Sequence, residues 1–440
     1  MSSKKIDRKE VYRTAKIGFL AWLGIIVVTF IFITISFCLP NGRIRSHLAE
    51  ASGILVGEGE HPSSYIYNPS VELDNYSDAI ILNVAYDVKP NRNPIKKALS
   101  NTYFTINQGT AQGENYKEVV ENTDNLEGEF IDYTRYWFTT SAFVRFLGTV
   151  MGYKQIRFAF MTVILLLFGI SISLIHKRVG IKYAISMAIA LILIRLFIIP
   201  MSIQYVPVTL ITLLSIIAVC VISKKKNYMQ KMPLLFIVSG TTTAIFDLMS
   251  FPLLTLGLPL ALLVVISLKE DKKVDVVKYL KLIVGFTLLW GLCYGATYFS
   301  KWIISSIILQ ENSIMIALEQ LVFRSSASSL QVSTEDMFTS NFNTYFTGFS
   351  LIGLLVYFVI WIVLVIKLKK PLKGFLPFVI MIAIALIPYA WYLAFTNHSY
   401  IHYWMTYRIQ AIALFSILSG SLLVLENPIK NPSRQSAKKH

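Results

Sequence analysis

The sequence predicts an all-α polytopic membrane protein: about ten transmembrane helices and a large first extracytoplasmic loop that carries amphipathic helices. Three observations predict it. Of 440 residues, 55% are hydrophobic and only 15% charged, where a soluble domain of this size carries roughly a quarter. Mean hydropathy is +0.58. The apolar residues fall in runs of about 17–25, long enough to cross a bilayer as helices.

Taken in order, the spans are expected at 17–39, 156–175, 181–199, 205–222, 232–249, 251–268, 279–299, 346–367, 375–395 and 409–425. The first follows a basic start, "MSSKKIDRKEVYRTAK". That run is too long for a cleavable leader and shows no small-x-small cleavage site, so it reads as a retained signal anchor. Short basic loops, "HKRVGIK", "SKKKNYMQK", "KEDKKVDVVK" and "KLKKPLKG", separate later spans. With the N-terminus inside, all of them fall on the cytoplasmic side, as the positive-inside rule requires. The expected division is therefore a cytoplasmic N-terminus at 1–16, one membrane domain at 17–425, and a basic cytoplasmic tail at 426–440. Large outer loops are expected at 40–155 and 300–345.

The first outer loop is rich in turn residues ("NGR", "NPS", "KPNRNP") and too long for mere connection, which argues for an ordered element. Within it, Asn75–Asp87 and Arg135–Gly152 read as amphipathic helices suited to lying along the membrane face. "SIMIALEQLVF" in the later loop reads the same way. No internal repeat is visible.

The net charge of +16 is accounted for by those basic loops. No helix-turn-helix, zinc-finger or RNA-binding signature accompanies it, so no nucleic-acid partner is expected. Cys38, Cys220 and Cys293 all lie in apolar stretches without a pairing pattern, which argues against a disulfide framework or zinc site.

Charged groups inside spans are functional candidates by default. Arg195 and Asp247 lie near the outer ends of the third and fifth spans. They either snorkel to the interface or pair with each other, or they line a polar cavity open to the outer face. Pro252, Gly257 and Pro259 follow Asp247, and broken helices often surround intramembrane sites. Asp74 and Asp78, four residues apart in "LDNYSDAI", would share one helix face. They read as capping aspartates of a solvated helix, or as a general base with a second acid orienting it or holding a cation. A divalent cation is accordingly the one cofactor left open.

"NHSYIHYWMTYR", Asn397–Arg408, sets two histidines four apart among four aromatic rings. Ser399 follows the first histidine, so the zinc-protease pattern is absent. Three readings stand: a metal site, an interfacial aromatic belt with a snorkelling arginine, and anion recognition. In the third, Asn397, His398, His402 and Arg408 present donors to a phosphate, and Tyr400, Tyr403, Trp404 and Tyr407 offer flat faces to a sugar or isoprenoid chain.

Four blocks carry a family resemblance: "LDNYSDAIILNVA", "YTRYWFTTSAFVRFLGTVMGYKQIR", "FDLMSFPLLTLGLPL" and "NHSYIHYWMTYR". Over nearly the whole chain, their order resembles the GT-C-fold membrane glycosyltransferases, in particular a GT-C-like group of Gram-positive bacteria. The resemblance implies a multi-pass plasma-membrane enzyme with both termini cytoplasmic and its active site extracytoplasmic. It would move a sugar from a polyprenyl-phosphate donor to a cell-surface glycan or teichoic-acid acceptor, with inversion. Asp74 or Asp78 would be the acceptor's base or positioning acid. Arg408, His398, His402, Asn397 and Arg135 would hold the donor phosphate. Asp247, Arg195, Tyr403, Trp404 and Tyr407 would line the substrate cavity. The related blocks have a histidine after "RYW" where this chain has Phe138, which leaves Arg135 and Arg145 as the polar groups there. The absence of a large C-terminal soluble domain argues against en bloc transfer to protein.

Rival readings are a lipid-linked glycan flippase or other transporter, a polysaccharide polymerase or ligase, a membrane acyltransferase, and a scaffold. A transporter predicts repeats and mid-depth charges. A polymerase is expected to place its largest loop late, whereas here it comes first. An acyltransferase would rely on His398 or His402. A scaffold leaves the clustered polar residues unexplained.

Overall fold

A computed structural model describes residues 8–62, 69–89, 92–325 and 332–426. The expected N-terminal segment lies outside these residues up to position 7, and the basic tail from 427 onward.

The chain is nearly all helical. The first helix, α1, spans Arg8–Ser36. A cap follows: α2 Asn41–Leu48, α3 Glu50–Glu58, α4 Asn75–Tyr86, α5 Pro94–Ser100, β1 Tyr103–Thr105, α6 Gln112–Glu121, β2 Glu129–Ile131 and α7 Thr139–Gly148. The bundle then continues with α8 Tyr153–Val179, α9 Ile181–Leu193, α10 Val206–Ile222, α11 Met232–Phe246, α12 Leu254–Glu270 and α13 Val276–Leu309. Next come α14 Ser313–Arg324, α15 Thr334–Tyr345, α16 Gly348–Lys367, α17 Leu376–Ala385 and α18 Ile387–Ala394. Two short helices, α19 Thr396–Ile401 and α20 Tyr403–Thr406, lead into α21 Ala411–Glu426.

Among the described residues, seven segments are long and apolar enough to cross a membrane: Tyr12–Ser36, Tyr153–Val179, Ile203–Ile222, Val276–Leu309, Gly348–Lys367, Leu372–Ala394 and Tyr403–Glu426. Helices also occur at the other three expected spans, but α9, α11 and α12 are short, with 13, 15 and 17 residues. All three end in a bend that carries polar residues or Pro, or begin after one, and this shortens them. Every residue of α12 from Leu254 to Leu268 is buried. Its packing partners on all sides, α10, α11, α13, α17 and α21, set it at the centre of the bundle. By contrast, α16 has no buried residue and is apolar throughout, as suits a lipid-facing helix.

Two expectations need correction. The helix at Asn75–Asp87 does not lie along a surface: α4 ends at Tyr86, and ten of its twelve residues are buried. It forms the core of the cap, against α6, α7 and β1. Its Asn83 amide bonds Phe104 at both the backbone N–H and the carbonyl, 2.9 Å each. The other correction concerns the later loop, which starts at residue 310, because α13 runs on to Leu309. At 34 residues that helix is about 51 Å long, against a hydrocarbon core of about 30 Å. Its last turns rise beside the cap, where the buried Lys301 ammonium donates to the carbonyl of Leu99 at 2.7 Å.

The cap is fastened to the bundle by buried side chains. The guanidinium of Arg145 donates to Ser36 O at 2.9 Å, to Ala85 O at 2.5 Å and to Asn41 Oδ1 at 2.7 Å. The indoles of Trp137 and Trp302 reach Thr297 O and Arg135 O, each at 2.9 Å. The four sequence blocks therefore converge on one end of the bundle, under the cap.

Candidate functional site

The two aspartates of α4 do different jobs. Asp74 is the helix N-cap: its carboxylate accepts from Ser77 N at 3.0 Å, and the Ser77 side chain also donates to it. Asp78, one turn on, accepts from Tyr153 Oη and Ile203 N at 2.8 Å each and from Gln204 N at 3.0 Å. The hydroxyl of Ser202 adds a long contact at 3.5 Å. Asp78 thus staples α4 to α8 and to the bend 203–205, and its lone pairs are already taken. Burial pushes Asp78 up to about 6, against the pull of Arg157 and its own donors. Burial also raises Asp74, opposed by Ser77 and by the charges of His61 and Arg408.

Asp74 has company that the sequence did not reveal. Glu72 lies 3.9 Å from the His61 ring. That ring is parallel to Tyr76 at 6.4 Å and meets Trp404 edge-on at 5.0 Å. No motif marks His61, since it sits in coil; only the tertiary fold brings it to Trp404.

The stretch Asn397–Arg408 is the hub of this end of the molecule. Asn397 donates to Phe323 O. Ser399 O accepts from Asn341 at 2.8 Å, and Thr406 donates back to Asn341 at the same distance. Tyr407 Oη reaches Ser70 O at 2.8 Å. The buried Arg408 guanidinium donates to Ile194 O at 3.2 Å and Trp404 O at 2.8 Å, and lies 4.4 Å from the Tyr205 ring centre. Much of the polarity in the stretch therefore holds backbone together. Tyr403 packs beside Trp404 with ring centres 6.0 Å apart.

His398 Nε2 lies 2.7 Å from Met249 O. A carbonyl only accepts, so Nε2 carries the proton and Nδ1 of the neutral ring is a bare lone pair. Burial, then His402 and Arg324, lowers His398 well below its ordinary value. His402 is lowered to about 3 by burial, then by Arg324 and His61. Both imidazoles are neutral near pH 7. His398 therefore presents an acceptor, where a phosphate needs a donor.

Arg195 and Asp247 do not pair. Arg195 donates to Ser70 Oγ at 3.0 Å, and Asp247 accepts from Ser250 N at 2.9 Å and Ser250 Oγ at 2.5 Å. Arg195 and Met249 both hold a positive φ, 60° and 70°, at the bends beside the site. Non-glycine residues rarely adopt such a conformation unless their surroundings impose it. Several buried polar atoms here lack a partner among the described residues: Asp247 Oδ2, His398 Nδ1, His402 Nδ1, Trp404 Nε1 and Arg408 Nη2. Buried polar groups are normally satisfied, so their concentration at one place marks a site built for polar contents.

Beside this cluster a cavity of about 280 Å³ opens between α13, α14 and the end of α18. Its walls are Trp290, Tyr294, Tyr298, Trp302, Trp391 and Phe395, and Arg135 and Arg324 also line it. Arg324, in the last turn of α14, bonds Tyr136 Oη. Arg135 lies 4.1 Å from the Tyr133 ring centre. Arg324 went unread in the sequence, although a basic residue closing an amphipathic helix was a usable signal. Of the residues expected to hold phosphate, the cavity takes in Arg135; Arg408 is packed against Tyr205 instead. Among the described residues, no three His, Cys, Asp or Glu side chains stand close enough to hold a metal ion.

Fold and site together define a multi-pass, nearly all-α membrane protein with a buried polar cluster and an aromatic cavity at one end of its bundle. Compared with known proteins, the chain matches no family model, no curated protein and no solved structure.

Proposed function

We propose that the protein is an inverting membrane glycosyltransferase that moves a sugar from a polyprenyl-phosphate donor to a cell-surface glycan or teichoic-acid acceptor. In this reading about ten helices span a bacterial plasma membrane, both termini are cytoplasmic, and the cap with its site lies on the outer face. The observation that carries it is the aromatic cavity with two arginines in its wall. A long apolar tail beside a phosphate asks for that combination: rings for the tail, and guanidinium groups that match phosphate oxygens two at a time.

The chemistry follows from the residues at hand. An acceptor hydroxyl attacks the anomeric carbon, a new C–O bond forms there, and the bond to the phosphate oxygen breaks. The phosphate leaves with the electron pair, and Arg135 and Arg324 hold it more tightly as its charge grows. The acceptor proton passes to the Asp74 carboxylate. Asp78, with its lone pairs engaged, keeps α4 in place. Neutral His398, through its free lone pair, suits a sugar hydroxyl.

Deletion of the gene with linkage analysis of the surface glycans tests the activity. Loss of one side-chain sugar is expected, whereas cytoplasmic accumulation of a complete lipid-linked glycan would assign a flippase instead. In vesicles carrying the purified chain, Arg324→Gln should raise the apparent KM for the lipid donor roughly tenfold, the loss of one charged hydrogen bond. An unchanged KM removes Arg324 from the site.

A further inference from the structure

Beyond that reading, the opposite end of the bundle holds a second site. A groove of about 640 Å³ runs between α1 and α11, closed by Ile222 at the end of α10. Its floor is apolar, with Ile17, Leu234, Ile237 and Val238, and Arg13 and Lys231 stand in its lining. Among the described residues, no acidic side chain lines it. Neither cation has a hydrogen-bond or ion-pair partner for its side chain among the described residues, whereas some cations at this end are paired. Arg178 is bound to Glu270 and Lys269 to Glu426. Gly18 lets α1 sit close to α11 here: a Cβ on it would come 2.5 Å from Ile237 Cδ1. From the groove to Asp247, α11 covers fifteen residues, about 22 Å, so the two sites are separate.

We propose that this groove binds an anionic phospholipid, with the phosphate between Arg13 and Lys231 and one acyl chain along the α1–α11 floor. The charge balance chooses the occupant: two cations without a partner among the described residues, beside an apolar cleft, complement a negative headgroup on a hydrocarbon chain, and a zwitterionic lipid would bring an extra positive charge to them. Basic pockets between membrane helices bind anionic headgroups on the same grounds. A second copy of the chain fits less well, because it would meet the same positive charge.

The test is native mass spectrometry of the full chain in detergent, titrated with phosphatidylglycerol or phosphatidylcholine. The wild type is expected to retain phosphatidylglycerol and release phosphatidylcholine. The double variant Arg13→Gln/Lys231→Gln should lose phosphatidylglycerol retention by about tenfold or more, since each basic residue strengthens anionic binding. Val238→Trp, which fills the cleft but keeps both cations, should lose it as well, and decides the question should the double variant fail to fold. Lys224→Gln/Lys225→Gln, on the adjoining turn, should leave retention unchanged. Equal retention of the two lipids overturns the proposal, and so does undiminished binding in the variants. Equal loss in the turn variant also overturns it, because the diffuse positive field of that end would then be responsible.

Discussion

At the scale of single residues, the i,i+4 aspartates show how a shared helix face can carry two roles. The spacing in "LDNYSDAI" places both carboxylates on one side of α4, and nothing in it distinguishes them. Distances do. Asp78 meets three donors within 3.0 Å, from two other segments of the chain, while Asp74 keeps capacity beyond its bonds to Ser77. Asp74→Asn is a clean test, since Asn caps helices as well as Asp. It should lower kcat by about 10² or more with an unchanged melting temperature in detergent. Asp78→Ala should instead lower the melting temperature, because it leaves buried donors unsatisfied at roughly 1–3 kcal/mol each. A base must be deprotonated to act, and burial raises Asp74. The acidic limb of kcat/KM in the wild type should therefore lie above the ordinary carboxylate value of about 3.9, with activity falling as pH drops through it. A limb at or below that value would remove Asp74 as the base. Arg408 was the most conspicuous cation in the sequence, yet it lies against Tyr205 and two carbonyls. Its conspicuousness came from standing in an apolar stretch, and such a stretch is equally where a structural arginine must find partners.

At the scale of elements, close helix packing decides how firmly the site is held. A Cβ on Gly240 of α11 would come 2.6 Å from the Trp290 carbonyl of α13, a backbone atom that cannot swing aside. Without a hydrophobic drive between helices in lipid, such small-residue contacts carry much of the association. Gly240→Ala should destabilise the protein by about 1–3 kcal/mol, read as a lower melting temperature. Gly169→Ala on α8, where a Cβ meets nothing within 4 Å, is the matched control and should be neutral or slightly stabilising. The sequence made the helices legible because a span must be apolar over its whole length. The fate of α4 was not legible. "NYSDAIILNVAY" alternates polar and apolar residues enough to suggest a surface helix, but Asn83 and Asp78 are polar residues spent inside the cap. Buried polar residues that satisfy backbone groups look the same in sequence as solvated ones.

At the scale of the whole molecule, the cap and the basic loops stand at opposite ends of the bundle, and the outer-face reading of the cap can be checked directly. In intact cells of a Cys38→Ser background, Glu114→Cys in the cap should react with a membrane-impermeant maleimide and Lys273→Cys, between α12 and α13, should not. The reverse pattern would put the candidate site in the cytoplasm, out of reach of a surface acceptor. By itself, the sequence determined the class of molecule: apolar runs of bilayer length make membrane helices, since backbone groups in lipid have no water to bond and a helix satisfies them within its own segment. It also determined which blocks carry the polar residues. The tertiary structure alone decided which of those residues share a site. It pinned Asp78, packed away Arg408, turned His398 into an acceptor, and brought Arg324 and Arg135 to one aromatic cavity. The physical reason is that hydropathy is a property of each segment, whereas satisfying a buried polar group depends on partners that lie up to hundreds of residues away in the chain.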